Sequence, residues 1–395
     1  MAKMLQNCVI DGDLKVRAEA TAAVAAQNAD RVDREARFPQ EAFSAARAQR
    51  LLGILVPTEL GGEGASVSDA ADVCYLLGRA CASSGLIFAM HQIMAAILVR
   101  HARSSAWHRR FLRRLCTEQL LLASSTTEGQ GGGDLRTSAC ALEQTGSRIA
   151  LTKSATVVSY GAQADAILTT ARRSADALPS DQILVVFLKD QCQLDPIVDW
   201  DVLGMRGTCS AGFMLKGNGE VEHVLPESYQ KIQAHTMMPV AHLTWSAVWA
   251  GLAAGATERA RSFVRTSARC TSGQLPLGAA HLTRAGMSPR SLRALVASAL
   301  QRFEAAADQA DDLESLDFQN AMNLLKVSAS ELATATVMSA LLACGLAGYR
   351  NEGEFSVSRH VRDVLSSSIM INNDRIFASA TSASSLIEVP NWLRG

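Results

Sequence analysis

The sequence predicts a mainly helical α+β protein in three parts: an N-terminal α-helical domain over 1–120, a middle antiparallel β domain over 121–232 and a C-terminal four-helix bundle over 233–395. Three observations carry this. Apolar residues recur every three or four positions across the first segment, the texture switches to short β-branched runs near residue 121, and long apolar-periodic stretches return from 236 onward.

In the first segment, "DAADVCYLLGRACASSGLIFAMHQIMAAILVRHA" reads as two buried helices broken at "ASSG", preceded by the Pro/Gly-punctuated turn "VPTELGGEGAS" at 56–66. In the second, "RIALTK", "ATVVSY", "DAILTTARR", "QILVVFLKD" and "GFMLK" are strand-like, and the Asn-Gly in "KGNGEV" favours a hairpin connection. No βαβ alternation is present. In the third, "VAHLTWSAVWAGLAAGATERARSFVRTSAR" is followed by segments at 288–311, 318–350 and 357–384, joined by short loops, which is the pattern of an antiparallel bundle. Its helices carry apolar residues on more than one face ("ATATVMSALLACGLAGY"), so a homodimer or homotetramer is expected through this bundle.

Composition excludes several classes of function. Lys plus Arg and Asp plus Glu are both 38, so the formal charge is zero, and no basic stripe of a nucleic-acid binder is present. No polybasic segment points to a membrane surface, and no apolar run reads as a membrane span. The start, "MAKMLQNCVIDGDLKVRAEA", soon carries acids and lacks an apolar core region, so no signal peptide is expected. Nine cysteines are scattered with no CxxC and no adjacent His pair. Such a set reads as reduced thiols of a cytoplasmic protein without a zinc site.

Several local strings, in this order, resemble the acyl-CoA dehydrogenase family over nearly the whole chain. "VPTELGGEGAS" is similar to the family's Pro-Glu-x-x-Gly-Gly-x-Gly turn. "RACASSGLIFAMH" is similar to its second N-terminal helix pair, and "TTEGQGGGD" stands where the family has Thr-Glu-Pro-x-x-Gly-Ser-Asp. "LGMRGTCS" resembles Leu-Gly-x-Arg-Gly-Ser/Thr-x-Ser, and "CGLAGYRNEGEFSVSRHVRD" resembles the Gly-Gly-x-Gly-Tyr stretch followed by Arg-x-x-Arg-Asp. The resemblance implies bound FAD, an acyl thioester or other small-molecule substrate and an oxidoreductase. By match, Thr126 and Thr127 face the flavin ring, while Gly132 and Gly133 approach its phosphates, where missing Cβ atoms let backbone N–H groups close on an anion. Glu128 matches a structural Glu of the family. Asn373 falls where a family Thr touches cofactor, although Asn372, Asn373, Asp374 and Arg375 also read as a polar network of the bundle core.

The departures bear on activity. The family's Lys-x-Trp-x-Thr strand becomes Lys153-Ser154-Ala155-Thr156-Val157, and Ser159 could supply the lost hydroxyl only by a register change. The Arg-x-x-Phe-Gly segment that reaches a neighbouring subunit's cofactor has no counterpart in "ARCTSGQLPLG". The Gln and one Gly of the Gln-x-x-Gly-Gly stretch fall on Leu342 and Leu346. The catalytic Glu position is Ile371, and the family's alternative base position falls near Ala241 and His242. Dehydrogenation next to a carbonyl needs a base for the α proton, and neither Ile nor Asn can serve. His91 is the first candidate for proton transfer and His242 the second, each set against the reading of a satisfied structural histidine. Three functions stay open: a flavin-dependent oxidoreductase on an acyl thioester, a flavin-dependent monooxygenase of the same fold, and a redox-inactive binder that has lost FAD.

Overall fold

The computed structural model describes residues 2–128 and 137–388, with side chains from residue 13 onward. The N-terminal part runs through α1 (Ala2–Arg34), α2 (Gln40–Ala48), α3 (Val67–Ala80), α4 (Ala82–His101) and α5 (Ala106–Glu118). Helix α3 starts on a capping box: the Ser66 hydroxyl accepts the Asp69 N–H at 3.0 Å and the Asp69 carboxylate accepts the Ser66 N–H at 2.7 Å. Cys81, in extended backbone, separates α3 from α4. By length and composition α4 and α10 (Leu316–Cys344) could each cross a membrane, which corrects the expectation that no apolar run is long enough. In the structure 89% of the apolar window of α4 is buried, and its apolar surface is spent on the protein core.

The strands are β1 (Leu122–Ser125), β2 (Glu143–Thr145), β3 (Arg148–Ala155), β4 (Ala166–Arg172), β5 (Gln182–Leu188), β6 (Cys192–Val198) and β7 (Gly212–Glu220). Among the described residues they form two sheets, ordered β1-β4-β5 and β2-β3-β7-β6. All pairs are antiparallel except β1 with β4. The expected Asn-Gly hairpin is not there. Asn218 lies inside β7, paired with Ala150 of β3. A Cβ on Gly217 would come within 2.7 Å of the Phe187 ring, so this glycine serves close packing rather than a turn.

The chain then forms α6 (Tyr229–Ile232), a π-helical turn over Gln233–Met237, α7 (Met238–Cys270), α8 (Ala279–Ala306), α9 (Ala310–Glu314), the long α10, α11 (Leu346–Tyr349), α12 (Ser358–Ile369) and α13 (Asn373–Ser384). The last bundle segment is therefore two helices, broken where Ile371 takes a left-handed φ of 47°. Helices α3 and α7 touch backbone to backbone: a Cβ on Gly251 would lie 2.1 Å from the Tyr75 carbonyl oxygen, and one on Gly78 2.4 Å from that of Val248.

The Arg-x-x-Arg-Asp stretch ties the three parts together. Arg359 pairs with Asp30 at 3.1 Å and Arg362 with Asp33 at 2.9 Å, both on α1. Asp363 accepts the Met205 N–H of the loop before β7 at 2.6 Å. Burial pushes the Asp363 carboxyl up to about 6, against the pull of Arg359.

Candidate active site

Positions 242, 245, 246 and 249 recur on one face of α7, because residues three and four apart stack along a helix. That face looks onto α10. His242 Nδ1 lies 3.0 Å from the Met322 carbonyl oxygen, and the Lys326 ammonium sits 5.8 Å from the centre of the Trp249 ring. Lys326 then reaches the break between α12 and α13, donating to the Ile371 carbonyl at 2.8 Å and to Asn373 Oδ1 at 2.6 Å. Asn373 Nδ2 donates onward to Ser330 Oγ at 3.0 Å. A β-branched residue in left-handed backbone costs on the order of 1–2 kcal/mol. The charged hydrogen bond from Lys326 to the Ile371 carbonyl offsets that cost.

Charge and hydrogen bonding define what this face offers. Burial pushes the Lys326 ammonium down to about 8. Burial also pushes His242 down to about 4; the Met322 carbonyl opposes this and the charge of Lys326 adds to it. His242 is therefore neutral at pH 7. Its Nδ1 faces a carbonyl and must carry the hydrogen, which leaves Nε2 as a bare acceptor. His242 Nε2, Trp245 Nε1 and Ser246 Oγ are all buried without a partner among the described residues. Native proteins rarely leave such groups unpaired. Three on one helix face mark where the polar atoms of a bound molecule would lie.

The flavin-facing residues expected from the sequence lie elsewhere, on the rim of the β domain. Thr126 and Thr127 follow β1, and Thr127 Oγ1 donates to the Val157 carbonyl at 3.4 Å. Just before them, Ser125 Oγ is buried without a partner among the described residues. Beneath the rim, Lys153 donates to the carbonyls of Ser125 at 3.0 Å and Thr170 at 2.8 Å and pairs with Glu128 at 3.3 Å. Glu128 also accepts the Ser138 hydroxyl at 2.5 Å and the Ala139 N–H at 2.7 Å. Desolvation alone would raise the Glu128 carboxyl, but these bonds and Lys153 outweigh it and hold it below its ordinary value. Its place is structural, closing the base of the segment that holds Gly132 and Gly133, which lie outside the described residues. The β3 alternation turns Ala155, at the family's Trp position, into a small buried cluster with Val158 and Phe213. Val157 is left exposed on the rim. Ser159 is not on the rim either: its hydroxyl is 2.8 Å from that of Ser210.

Of the histidines, His242 reaches the site and His91 does not. His91 Nε2 donates to the Leu52 carbonyl at 2.7 Å, and its Nδ1 accepts the Leu122 N–H at 3.1 Å. The ring fastens α4 to β1 and has no nitrogen left for proton transfer. Asn373 is held by Lys326 and Ser330, as the core-network reading has it, while Asn372 caps α13 by accepting the Asp374 N–H at 2.8 Å. Arg206 Nε is buried without a partner among the described residues. Sequence reasoning missed Lys326, Trp245 and Ser246. The available sign was a lone Lys in the apolar stretch "AMNLLKVSAS".

Comparison with known proteins defines the class. The pattern of the acyl-CoA dehydrogenase N-terminal domain matches residues 14–119, and that of the C-terminal domain matches residues 233–371. Together they cover more than half of the chain, which belongs to the acyl-CoA dehydrogenase superfamily and departs from it at the catalytic Glu. Among individual relatives, a dibenzothiophene monooxygenase of Rhodococcus erythropolis is 26% identical over 280 residues, 68% of this chain and 65% of the relative's length. The match thus spans just under two thirds of that protein. In structure, the FMN-bound TdsC of Paenibacillus sp. A11-2 superposes with a TM-score of 0.83 at 19% identity, covering 96% of this chain and 98% of that one. Methanesulfinate monooxygenase MsuC of Pseudomonas fluorescens gives 0.80 at 18% identity over 95% and 97%. At these identities the superpositions speak for the fold.

Proposed function

We propose that this chain is a flavin-dependent monooxygenase that uses FMN rather than FAD and oxidises a small, largely apolar substrate held against α7. The observation that carries the reading is the site itself. It has an apolar side chain, Ile371, where a dehydrogenase of this family has its carboxylate, and three unpaired polar atoms on α7 beside it. The named monooxygenase relatives support the same direction.

A flavin fits the residues present. The isoalloxazine has apolar faces and a polar edge, and the rim pairs exposed Val157 with the Thr126 and Thr127 hydroxyls and the orphaned Ser125 Oγ. Thr126 and Thr127 would hold the ring edge, and Gly132 and Gly133 its phosphate. Bound there and reduced by an external two-electron donor such as a reduced nicotinamide or a separately reduced flavin, the flavin would supply two electrons to O2, with one oxygen atom passing to the substrate and the other leaving as water. FMN is favoured over FAD because the segment that lacks the family's cofactor-reaching Arg-x-x-Phe-Gly pattern carries exposed Leu275 and Leu277, and exposed Leu342 and Leu346 stand at the family's Gln and Gly positions.

The chain's own residues then have defined tasks. Neutral His242 accepts a hydrogen bond or proton at Nε2, Trp245 donates from Nε1, and Ser246 does either. Lys326 keeps the turn at 370–372 closed, and burial, with the charge of Lys326 adding to it, keeps His242 neutral. Ile371, at the family's carboxylate position, can take no α proton from a saturated acyl thioester, so octanoyl-CoA should not reduce the bound flavin.

The test is titration of the purified protein with FMN and FAD by flavin fluorescence, followed by anaerobic addition of octanoyl-CoA. FMN binding at least tenfold tighter than FAD, with no bleaching, supports the reading. Rapid bleaching by octanoyl-CoA would return the protein to the dehydrogenases. Failure to bind either flavin would favour the redox-inactive alternative.

A further inference from the structure

A separate cleft of about 750 Å3 lies between α1, α3, α7 and α8. None of its lining residues comes from the β domain, the turn at 370–372 or the polar face of α7. On α7 it uses Ala247, which points away from His242 and Trp249, and Ala250, which lies one turn beyond Ser246. Its volume falls within the range of small-molecule sites, roughly 300–1,000 Å3.

The floor is apolar and built from small side chains. Leu14 and Ala18 of α1, Ala71 of α3, Ala250 of α7 and Val296 and Leu300 of α8 are all buried. The rim carries charge of both signs, but the two signs are not equally available. Asp69 is committed to the capping box that starts α3, where it accepts the Ser66 N–H and hydroxyl. Asp72 is likewise engaged. On the opposite wall, Arg290 and Arg293 stand one turn apart on α8, and no carboxylate pairs with either among the described residues. Arg293 only rests its guanidinium 6.0 Å from the centre of the Tyr75 ring, which itself lines the cleft. An apolar floor beneath two unpaired guanidiniums and an aromatic face complements a molecule with an apolar body and one anionic end.

We propose that this cleft is a second small-molecule site that takes an amphipathic monoanion, its apolar body on the alanine-lined floor and its carboxylate or sulfonate on Arg290 and Arg293. The site stands apart from the flavin reading and does not depend on it.

The test uses the full-length protein and 8-anilinonaphthalene-1-sulfonate as a fluorescent probe, with decanoate and decan-1-ol as competitors. Two variants address the two halves of the site. Arg290→Glu with Arg293→Glu reverses the rim charge, and Ala297→Trp fills the cleft from an exposed position where the added ring disturbs no core packing. Saturable binding of one dye per chain is expected. Displacement by decanoate but not by equal decan-1-ol, and at least tenfold weaker binding in both variants, complete the expected result. Circular dichroism and melting temperature matching the wild type keep a folding defect from explaining the loss. Four results would overturn the proposal: dye binding unchanged in both variants, equal displacement by the alcohol, displacement by FMN, or a concentration-dependent dimer that abolishes binding by covering the cleft.

Discussion

The junction of α4 with β1 and the seam between α7 and α10 each bury one histidine on an apolar helix, and in both cases burial holds the imidazole at about 4. What separates them is the count of partners. His91 has a backbone group on each nitrogen, as a crosslink does. His242 has one, and its free nitrogen sits among two other unpaired polar atoms. The hydrogen bonds also demand opposite tautomers, Nε2–H in His91 and Nδ1–H in His242. Burial and a depressed pKa therefore do not mark a functional histidine, and an unspent valence counts only beside other unpaired polar atoms, since His108, His223 and His360 also leave one nitrogen unpaired among the described residues.

The largest way to break this comparison is to remove each ring. His91→Ala strands the Leu52 carbonyl and the Leu122 N–H in the core, and a buried unpaired group costs about 1–3 kcal/mol, so the loss should be about 2–6 kcal/mol in urea unfolding. His242→Gln removes one hydrogen bond to the Met322 carbonyl, which the α10 backbone still engages, and should cost about 1 kcal/mol while depressing turnover far more. Equal stability losses from the two substitutions would erase the distinction.

Removing Lys326 sharpens it. Lys326→Met leaves the Ile371 carbonyl and Asn373 Oδ1 without their donor, for a cost of about 2–4 kcal/mol. It also deletes a positive charge that lowers His242, so the His242 pKa should rise in an NMR titration while that of His91 stays in place.

The pH dependence of stability is the smallest effect and has a definite sign. The folded-state pKa values of His91, His108 and His242 are each about 4, below the ordinary 6.5, so the unfolded chain binds protons that the fold refuses between those limits. Stability should be full above pH 6.5 and fall as pH drops toward 4. Asp363 works the other way: its folded value of about 6 exceeds 3.8, so it adds stability as pH falls through that window. His101, His223 and His360 are also held below their ordinary value, so the histidines outnumber Asp363 and stability falls toward acid by about 1.4 kcal/mol per pH unit for each net proton. Urea midpoints measured from pH 7 to 4.5 should show the decline, and His242→Gln should flatten it. A midpoint that does not change over this range would mean the rings are not buried neutral.

Much of the fold was legible because the core is written in periodicity: the helices of both α segments and the strands between them follow their apolar spacing. Short-range signals were less reliable. Asn218-Gly219 reads as a turn until Phe187 is seen packed on the neighbouring Gly217, and "SIMINNDRIF" reads as continuous helix until Ile371 breaks it. Within the site, His242 was legible only by its place in the family pattern. Lys326 and Ser246 were not, because their meaning depends on partners far along the chain. His242 meets Met322 across 80 residues and Lys326 meets Asn373 across 47, and no local pattern records such distances. His91 misled for the same reason, since the two backbone groups that occupy it lie 39 and 31 residues away.

15N NMR of the imidazole nitrogens in histidine-labelled protein reads whether His242 Nε2 is a bare, neutral nitrogen facing a ligand. At pH 7 His242 should be the Nδ1–H tautomer and His91 the Nε2–H tautomer. FMN together with a small aromatic such as indole should shift the His242 Nε2 resonance and leave His91 where it was. An Nε2–H tautomer at His242, or a ligand response confined to His91, would contradict this assignment.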